Sequence, residues 1–499
     1  MAKKKKKKNI NPAAVRNAAD RNPADVRRDA DCGDAEAQFY LGTLYYKGNR
    51  VAENKSEAFK WFRLAAEQGD ASAQLSLGIM YDKGEGTAQN KAEAFRWYRL
   101  AALQGSIQAQ YNLGEMYLTA KWSAKNMSDA FKWFRRAALQ GDAQAQYKLA
   151  TMYFNGKGVD EDKAGAAEWF RLAADQGHAA AQFNLGVMYD TGEGVAEDPA
   201  ASAEWFRLAA EHGQPSAQFN LGVMYDTGEG AVQNKAEAVK WYRLAAEQGH
   251  NMAQFNLAVM YDTGEGAAQN KYEAFKWYRL AAEQGDRDAQ FALAAAYSSG
   301  EGADQNKSEA VKWYLLAAGQ GDSEAQFALG ELYGSGEGVA QNKSEAVKWY
   351  LLAAEQGAAQ AQFKLGTMYQ GGDGVALDEA EADKWCRLAA EQGWAEALEF
   401  LDDSGDVHSD NDVSDDVVSD EDDSDNGVSD YDDSDEDDSD DDVSGDSPDS
   451  FLKKLGNIII LIFSIIFLLF LLLLITPIYL FSKKNKKDTI IKSDHLITR

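Results

Sequence analysis

Two cysteines (Cys32 and Cys386), six prolines and five histidines are all that this 499-residue sequence holds of those types. So few cysteines exclude a disulfide framework and permit a reducing compartment. The histidines are scattered: His178, His212 and His250 fall near turns, His408 in an acidic tract and His495 in the last segment. They read as surface residues, not as ligands or bases. No phosphate-cradling loop, nucleophile elbow, zinc-protease signature or paired Cys-x-x-Cys occurs anywhere. An enzyme reading therefore has no residues to rest on, and no cofactor, metal or small-molecule substrate is expected. The opening MAKKKKKKNI lacks the apolar stretch that must follow a basic start in a secretory signal, so a cleaved signal is not expected. Residues 402–450 hold no lysine or arginine at all.

What is present is repetition. Trp61, Trp97, Trp133, Trp169, Trp205, Trp241, Trp277, Trp313, Trp349 and Trp385 stand 36 residues apart without insertion or deletion. Ten copies of one length mean a repeat protein, and the period makes residues 35–394 one elongated array instead of several globular domains.

The stretch Ala217 to Gly249, AQFNLGVMYDTGEGAVQNKAEAVKWYRLAAEQG, shows how each copy is built. Leu221, Met224 and Tyr225 fall at i, i+3 and i+4, on one face of a first helix. Gly228 and Gly230 interrupt it. Asn234 is the N-cap of a second helix, with Glu237 placed to complete a capping box, and Gly249 supplies a left-handed stop. Ala238, Trp241, Leu244, Ala245 and Ala246 alternate large and small, which predicts close helix packing. One such hairpin cannot bury its apolar face, but stacked hairpins share a continuous core.

The pattern A-x-x-x-L-G-x-x-Y-x-x-G-x-G, followed by Asn or Asp and then A-x-x-W-[YF]-x-x-A-A-x-x-G, resembles the Sel-1-like repeat, a relative of the tetratricopeptide repeat. The first-helix tyrosine (Tyr45 through Tyr369) and the closing glycine (Gly69 through Gly393) occur in all ten copies. Departures are local: Ala150, Ala258 and Ala294 replace a first-helix glycine, and the third copy carries Ala120 and Trp122 where loop glycines belong. The resemblance implies an all-α fold, a right-handed α-solenoid of ten 36-residue helix-turn-helix repeats. The two cysteines fit poorly with the cysteine-rich, enzymatic branch of the family.

The array is flanked by other segments. Residues 1–21 are basic and expected to be disordered. Residues 22–34 look like a degraded second helix that caps the open end, with Asn22 and Pro23 as cap and first turn. Residues 395–401 form a partial closing repeat. Residues 402–450 contain 22 aspartates and 11 serines, nine of the serines at five-residue spacing, and cannot bury enough apolar surface to order themselves. A charged spacer is one reading of this stalk. Phosphorylation is another, because Ser409, Ser419, Ser429, Ser434 and Ser439 each have aspartate three residues on, which resembles acid-directed kinase sites.

Ile458 to Phe481 is a run of 24 residues without a charge. As a helix it would reach about 36 Å, enough to cross a hydrocarbon layer of about 30 Å. A transmembrane helix over 458–481 is expected, followed by a short basic tail over 482–499. The lysines on its C-terminal side favour sending the array across the membrane. The lack of a signal and the nearness of the run to the C-terminus favour a tail anchor with a cytosolic array, and this second orientation is preferred. The sequons at Asn54, Asn126, Asn306 and Asn342 coincide with the helix-cap position of the repeat.

Net charge is −29, with the largest share in residues 402–450. The array itself is also acidic, the opposite of what a nucleic-acid-binding solenoid requires, so no nucleic acid is expected. Positions equivalent to Val223, Asp226 and Thr227 vary among copies and share one face of the first helix. By the tetratricopeptide resemblance, that face lines the inner surface of a superhelix. In the middle copies it presents Asp190 and Thr191, Asp226 and Thr227, Asp262 and Thr263. This is either a solvated face or an acidic, hydroxyl-bearing stripe that receives a basic peptide. The function expected is a membrane-anchored, non-catalytic protein-interaction scaffold. The alternative is a lumenal adaptor of endoplasmic-reticulum-associated degradation, with the array on the far side of the membrane.

Overall fold

A computed structural model of the chain describes residues 22–119 and 124–403. Among the described residues there are twenty-two helices and no strand. They fall into two compact bodies, residues 22–281 and 282–403. Within each body, helical hairpins of one design follow one another, the arrangement of an α-solenoid.

The sixth repeat shows how sequence produces the hairpin. Its first helix, Pro215–Thr227, begins two residues before Ala217, because Pro215 suits the first turn and the Gln214 side chain accepts the amide of Ala217 at 2.6 Å. Gly228 ends it in the left-handed region, φ 83°. The second helix, Lys235–Glu247, starts at Asn234, whose side chain accepts the Glu237 amide at 3.1 Å. Gly249, φ 86°, follows its end. The Asn234 amide in turn donates to the carbonyl of Tyr225 at 2.8 Å, which ties the start of the second helix to the end of the first.

Packing differs from the sequence reading at one point. Ala238, Ala245 and Ala246 are buried, but the large buried residue between them is Tyr242, 1 % exposed, whereas Leu244 is 43 % exposed. Ala238, Tyr242 and Ala245 lie at i, i+4 and i+7, and that stripe faces the hairpin partner. Leu244 projects off it. Trp241 is half-buried and packs against a cluster that joins Phe206 and Ala209 of the preceding second helix to Leu221 of its own first helix. The tyrosine ring lies directly on the first helix: a Cβ built on Gly222 would stand 2.7 Å from it. Glycine at that position removes the atom that would hold the two helices apart.

The second helix also packs on the first helix of the next repeat, as Pro199–Glu211 does on Pro215–Thr227 and Lys235–Glu247 on Asn251–Thr263. At the start of the array the helix Pro23–Asp31, capped by Asn22, buries Val26 and Ala30 against Leu41 and Leu44. In the second body the helix Ala395–Asp403 packs on Glu379–Glu391 and buries Ala397.

The third repeat departs from its siblings. Its second helix, Ala124–Ala138, begins before Asn126, so that asparagine lies inside the helix and is not its cap. Alanine and lysine at 124 and 125 are good helix formers and extend the helix backward. Asn54, Asn306 and Asn342 are caps as expected. Ala120 and Trp122, the stalk serines Ser409, Ser419, Ser429, Ser434 and Ser439, and the segments 1–21, 404–450, 458–481 and 482–499 lie outside the described residues. No helix among the described residues is long and apolar enough to cross a membrane.

Candidate partner-binding face

Asp190, Asp226 and Asp262 recur at the last turn of three successive first helices, Ala179–Thr191, Pro215–Thr227 and Asn251–Thr263. The residues around them share their polar groups unequally. Val187 and Val223 are buried and contribute to the core, not to an open face. The hydroxyls of Thr191, Thr227 and Thr263 turn back into their own helices, donating to the carbonyls of Val187, Val223 and Val259 at 3.0, 3.0 and 2.9 Å. Each also accepts the amide of a loop glutamate, Glu193, Glu229 or Glu265. The threonines therefore fasten the helix end to the loop.

The aspartates carry the electrostatic character. Asp226 pairs with Lys235, and Asp262 with Lys271 at 2.9 Å, each lysine being the first residue of its own repeat's second helix. Lys235 also reaches Glu265 of the following repeat at 3.0 Å. Pairs exposed to this degree contribute little stability singly, but they set where charge sits along the array. Asp190 has no such partner, because Pro199 occupies the lysine position. Its carboxyl is pushed up to about 6, first by burial and then by Glu229 and Glu197.

A second periodic polar feature escaped the sequence reading. Gln38, Gln74, Gln110, Gln146, Gln182, Gln218, Gln254, Gln290, Gln326 and Gln362 are all buried. Gln218 donates to the Ala210 carbonyl of the preceding second helix at 3.1 Å and accepts from Gln248 at 2.7 Å, so one amide joins three helix ends. In the fifth repeat His212 replaces the second glutamine, its Nδ1 2.9 Å from Gln182. The available signal was a polar residue that never varies over ten copies. A search for apolar periodicity passes over it.

The histidines also differ from expectation. His178 and His250 are half-buried helix caps, Nδ1 accepting the amides of Ala181 and Ala253 at 3.2 and 3.3 Å. They stack on Tyr147 and Phe219 at 4.6 and 4.8 Å. The cap position between repeats lies against the preceding first helix, which is why it is not a free surface. Burial lowers His250 to about 4. A histidine pKa below its ordinary value near 6.5 stabilises the fold above that value, and the contribution disappears as pH falls through about 4. His250→Asp, which installs the cap used at Asp286 and Asp322, should therefore remove a loss on the order of 2 kcal/mol between pH 6.5 and 4. Urea midpoints of the two proteins across that range check it; parallel curves would refute it.

A packed glutamine at every hairpin junction, glycine under the second-helix aromatic, and capped 36-residue hairpins agree with one repeat family, whose profile, described as the Sel1 repeat, matches residues 35–70, 71–106, 107–142, 143–178, 179–214, 215–250, 251–286, 287–322, 323–357 and 359–394. The chain belongs to the Sel1 repeat family. Among solved structures it is similar to a protective antigen of uropathogenic Escherichia coli strains displaying an SLR fold, with 39% identity and a TM-score of 0.71, covering 77% of this chain and 82% of that one. It is also similar to a Sel1 repeat protein from Oxalobacter formigenes, with 34% identity and a TM-score of 0.48, covering 66% of this chain and 93% of that one. No curated protein sequence matches the chain. Sel1 repeat proteins generally mediate protein–protein interaction, and as a family they are typically non-catalytic.

Proposed function

We propose that this protein is a non-catalytic scaffold, held at a membrane by residues 458–481, that binds other proteins through its Sel1 repeats. The observation that carries the reading is the register of Asp190, Asp226 and Asp262: one carboxylate per repeat, at the same helix end, on three consecutive first helices. A row of like groups at a fixed spacing suits an extended chain with basic side chains better than it suits a compact small molecule. The uncharged run from Ile458 to Phe481 supports the anchor, and the intervening acidic residues 402–450 support a stalk extended by its own repulsion.

Deleting residues 458–481 should move the chain from the membrane pellet to the soluble fraction after carbonate extraction. Retention in the pellet would remove the anchor from the proposal. Protease added to sealed membranes tests the preferred orientation: digestion of an unglycosylated array places it in the cytosol, and a protected, glycosylated array reverses the choice.

A further inference from the structure

Seven of the ten second helices begin with lysine at the position of Lys235. In the sixth repeat that lysine binds the Asp226 carboxylate of its own first helix and Glu265 of the next loop. The same aspartate accepts from the Tyr242 hydroxyl at 3.5 Å, and Tyr242 is hydrogen-bonded to Asn256 of the following first helix. One ammonium thus fills a slot with an acidic wall on each side.

The fifth repeat keeps the walls and loses the ammonium. Asp190 and Glu229 stand at the equivalent positions, but Pro199 replaces the lysine and Phe206 the tyrosine. The loop still closes on the helix start: a Cβ on Gly230 would lie 2.3 Å from the Pro199 carbonyl, as one on Gly266 would from that of Lys235. Glu229 is therefore held where Glu265 is held. Neither Asp190 nor Glu229 has an ion-pair partner among the described residues.

One further polar side chain beside this slot is buried without a partner, Ser202. Phe206 also lacks the hydroxyl that Tyr242 offers Asn256, whose equivalent in the sixth repeat is the 5 % exposed Asn220. Ser202 stands where most repeats have alanine; it is fully buried and its hydroxyl makes no hydrogen bond. Its place is given by the ninth repeat, where a Cβ on Gly334, the equivalent of Asp190, lies 3.8 Å from Ala346, the equivalent of Ser202. Buried polar groups are normally satisfied, so an unsatisfied hydroxyl beside two unpaired carboxylates marks a missing donor.

We infer that the slot between Asp190 and Glu229 receives the side-chain ammonium of a lysine from a partner protein, in place of the lysine that the second, sixth and seventh repeats themselves set against the equivalent aspartate. An ammonium brings three N–H donors and one positive charge, which matches two carboxylates and a neutral oxygen. The slot opens to solvent, since its occupant in the next repeat, Lys235, is 36 % exposed. The inference rests on the scaffold reading and narrows the partner to one that presents a lysine in an extended segment.

The test uses the full chain in detergent micelles and two fluorescent peptides, Gly-Ser-Lys-Ser-Gly and the same peptide with norleucine for lysine, read by anisotropy at physiological salt. The lysine peptide should bind at least about tenfold more tightly. Pro199→Lys, which restores the internal ammonium, and Asp190→Asn should each reduce the preference below about twofold. Pro199→Lys recreates the sequence of neighbouring repeats, so its unfolding midpoint should equal or exceed that of the parent. Equal binding of the two peptides by the parent, or none, overturns the inference. So does a preference that survives Pro199→Lys, because that would locate lysine binding in the acidic residues 402–450. If proteins are captured equally by the parent and by Pro199→Lys, the slot falls and the scaffold stands. If the lysine preference holds while no protein is captured, the scaffold falls.

Discussion

Tyr242→Ala should destabilise the sixth repeat by about 3–5 kcal/mol, the cost of emptying a buried aromatic site. The ring is 1 % exposed, its centroid is 5.9 Å from that of Phe219, and it lies on the bare backbone of Gly222. What surrounds it is small: Gly222, Ala238 and Ala245 have no side-chain reach to fill the void. Loss of the hydroxyl also leaves Asp226 and Asn256 without a shared partner. Tyr242→Phe keeps the ring and should cost only about 1 kcal/mol, the value of one hydrogen bond. Because each repeat touches only its neighbours, the loss should be local. Amide exchange should accelerate in residues 215–263 and remain unchanged near residue 100. A uniform acceleration along the array would contradict nearest-neighbour packing.

Gly266→Ala should cost about 2–5 kcal/mol, from two causes that a second variant separates. Gly266 has φ 73°, where a Cβ costs about 1–2 kcal/mol. The new Cβ would also stand 2.3 Å from the carbonyl oxygen of Lys235, so the loop must move away from the preceding repeat, adding about 1–3 kcal/mol. Gly249 has φ 86° but nothing within 4 Å of its Cβ position. Gly249→Ala should therefore show only the conformational part, about 1–2 kcal/mol. Urea unfolding of the pair measures the difference. Equal losses would mean that the approach between loop and helix contributes nothing.

The two glycines show what could and could not be read without coordinates. Both belong to the repeat pattern, and both were legible as turn residues. Their different consequences depend on the distance to another repeat, which pattern does not contain. The same holds for Leu244 and Tyr242. Spacing identified an apolar helix face, but adjacent apolar residues straddle its edge, and only the neighbouring helix decides which is covered. Asn126 was read as a cap because it sits at the cap position of its siblings, yet the local residues at 124 and 125 favour helix and moved the start. Gln218 was passed over because burial of a polar group depends on partners at Ala210 and Gln248, which stand 8 and 30 residues away in the chain.

The candidate face was legible as three aspartates in register. Their inequality was not. Pro199, Ser202 and Phe206 are unremarkable substitutions when read along one helix, and only stacking brings all three around Asp190 and opposite Glu229 and Asn220. The 36-residue period, the hairpin in each repeat, the cap and stop residues and the family all follow from local chemistry and recurrence, because caps, turns and helix faces are interactions within a few residues of each other. Which aromatic is buried, which amides bridge helix ends and which carboxylate is left without a cation were decided by packing between helices, because those interactions join residues of different helices 8 to 30 positions apart and exist only once the helices stack.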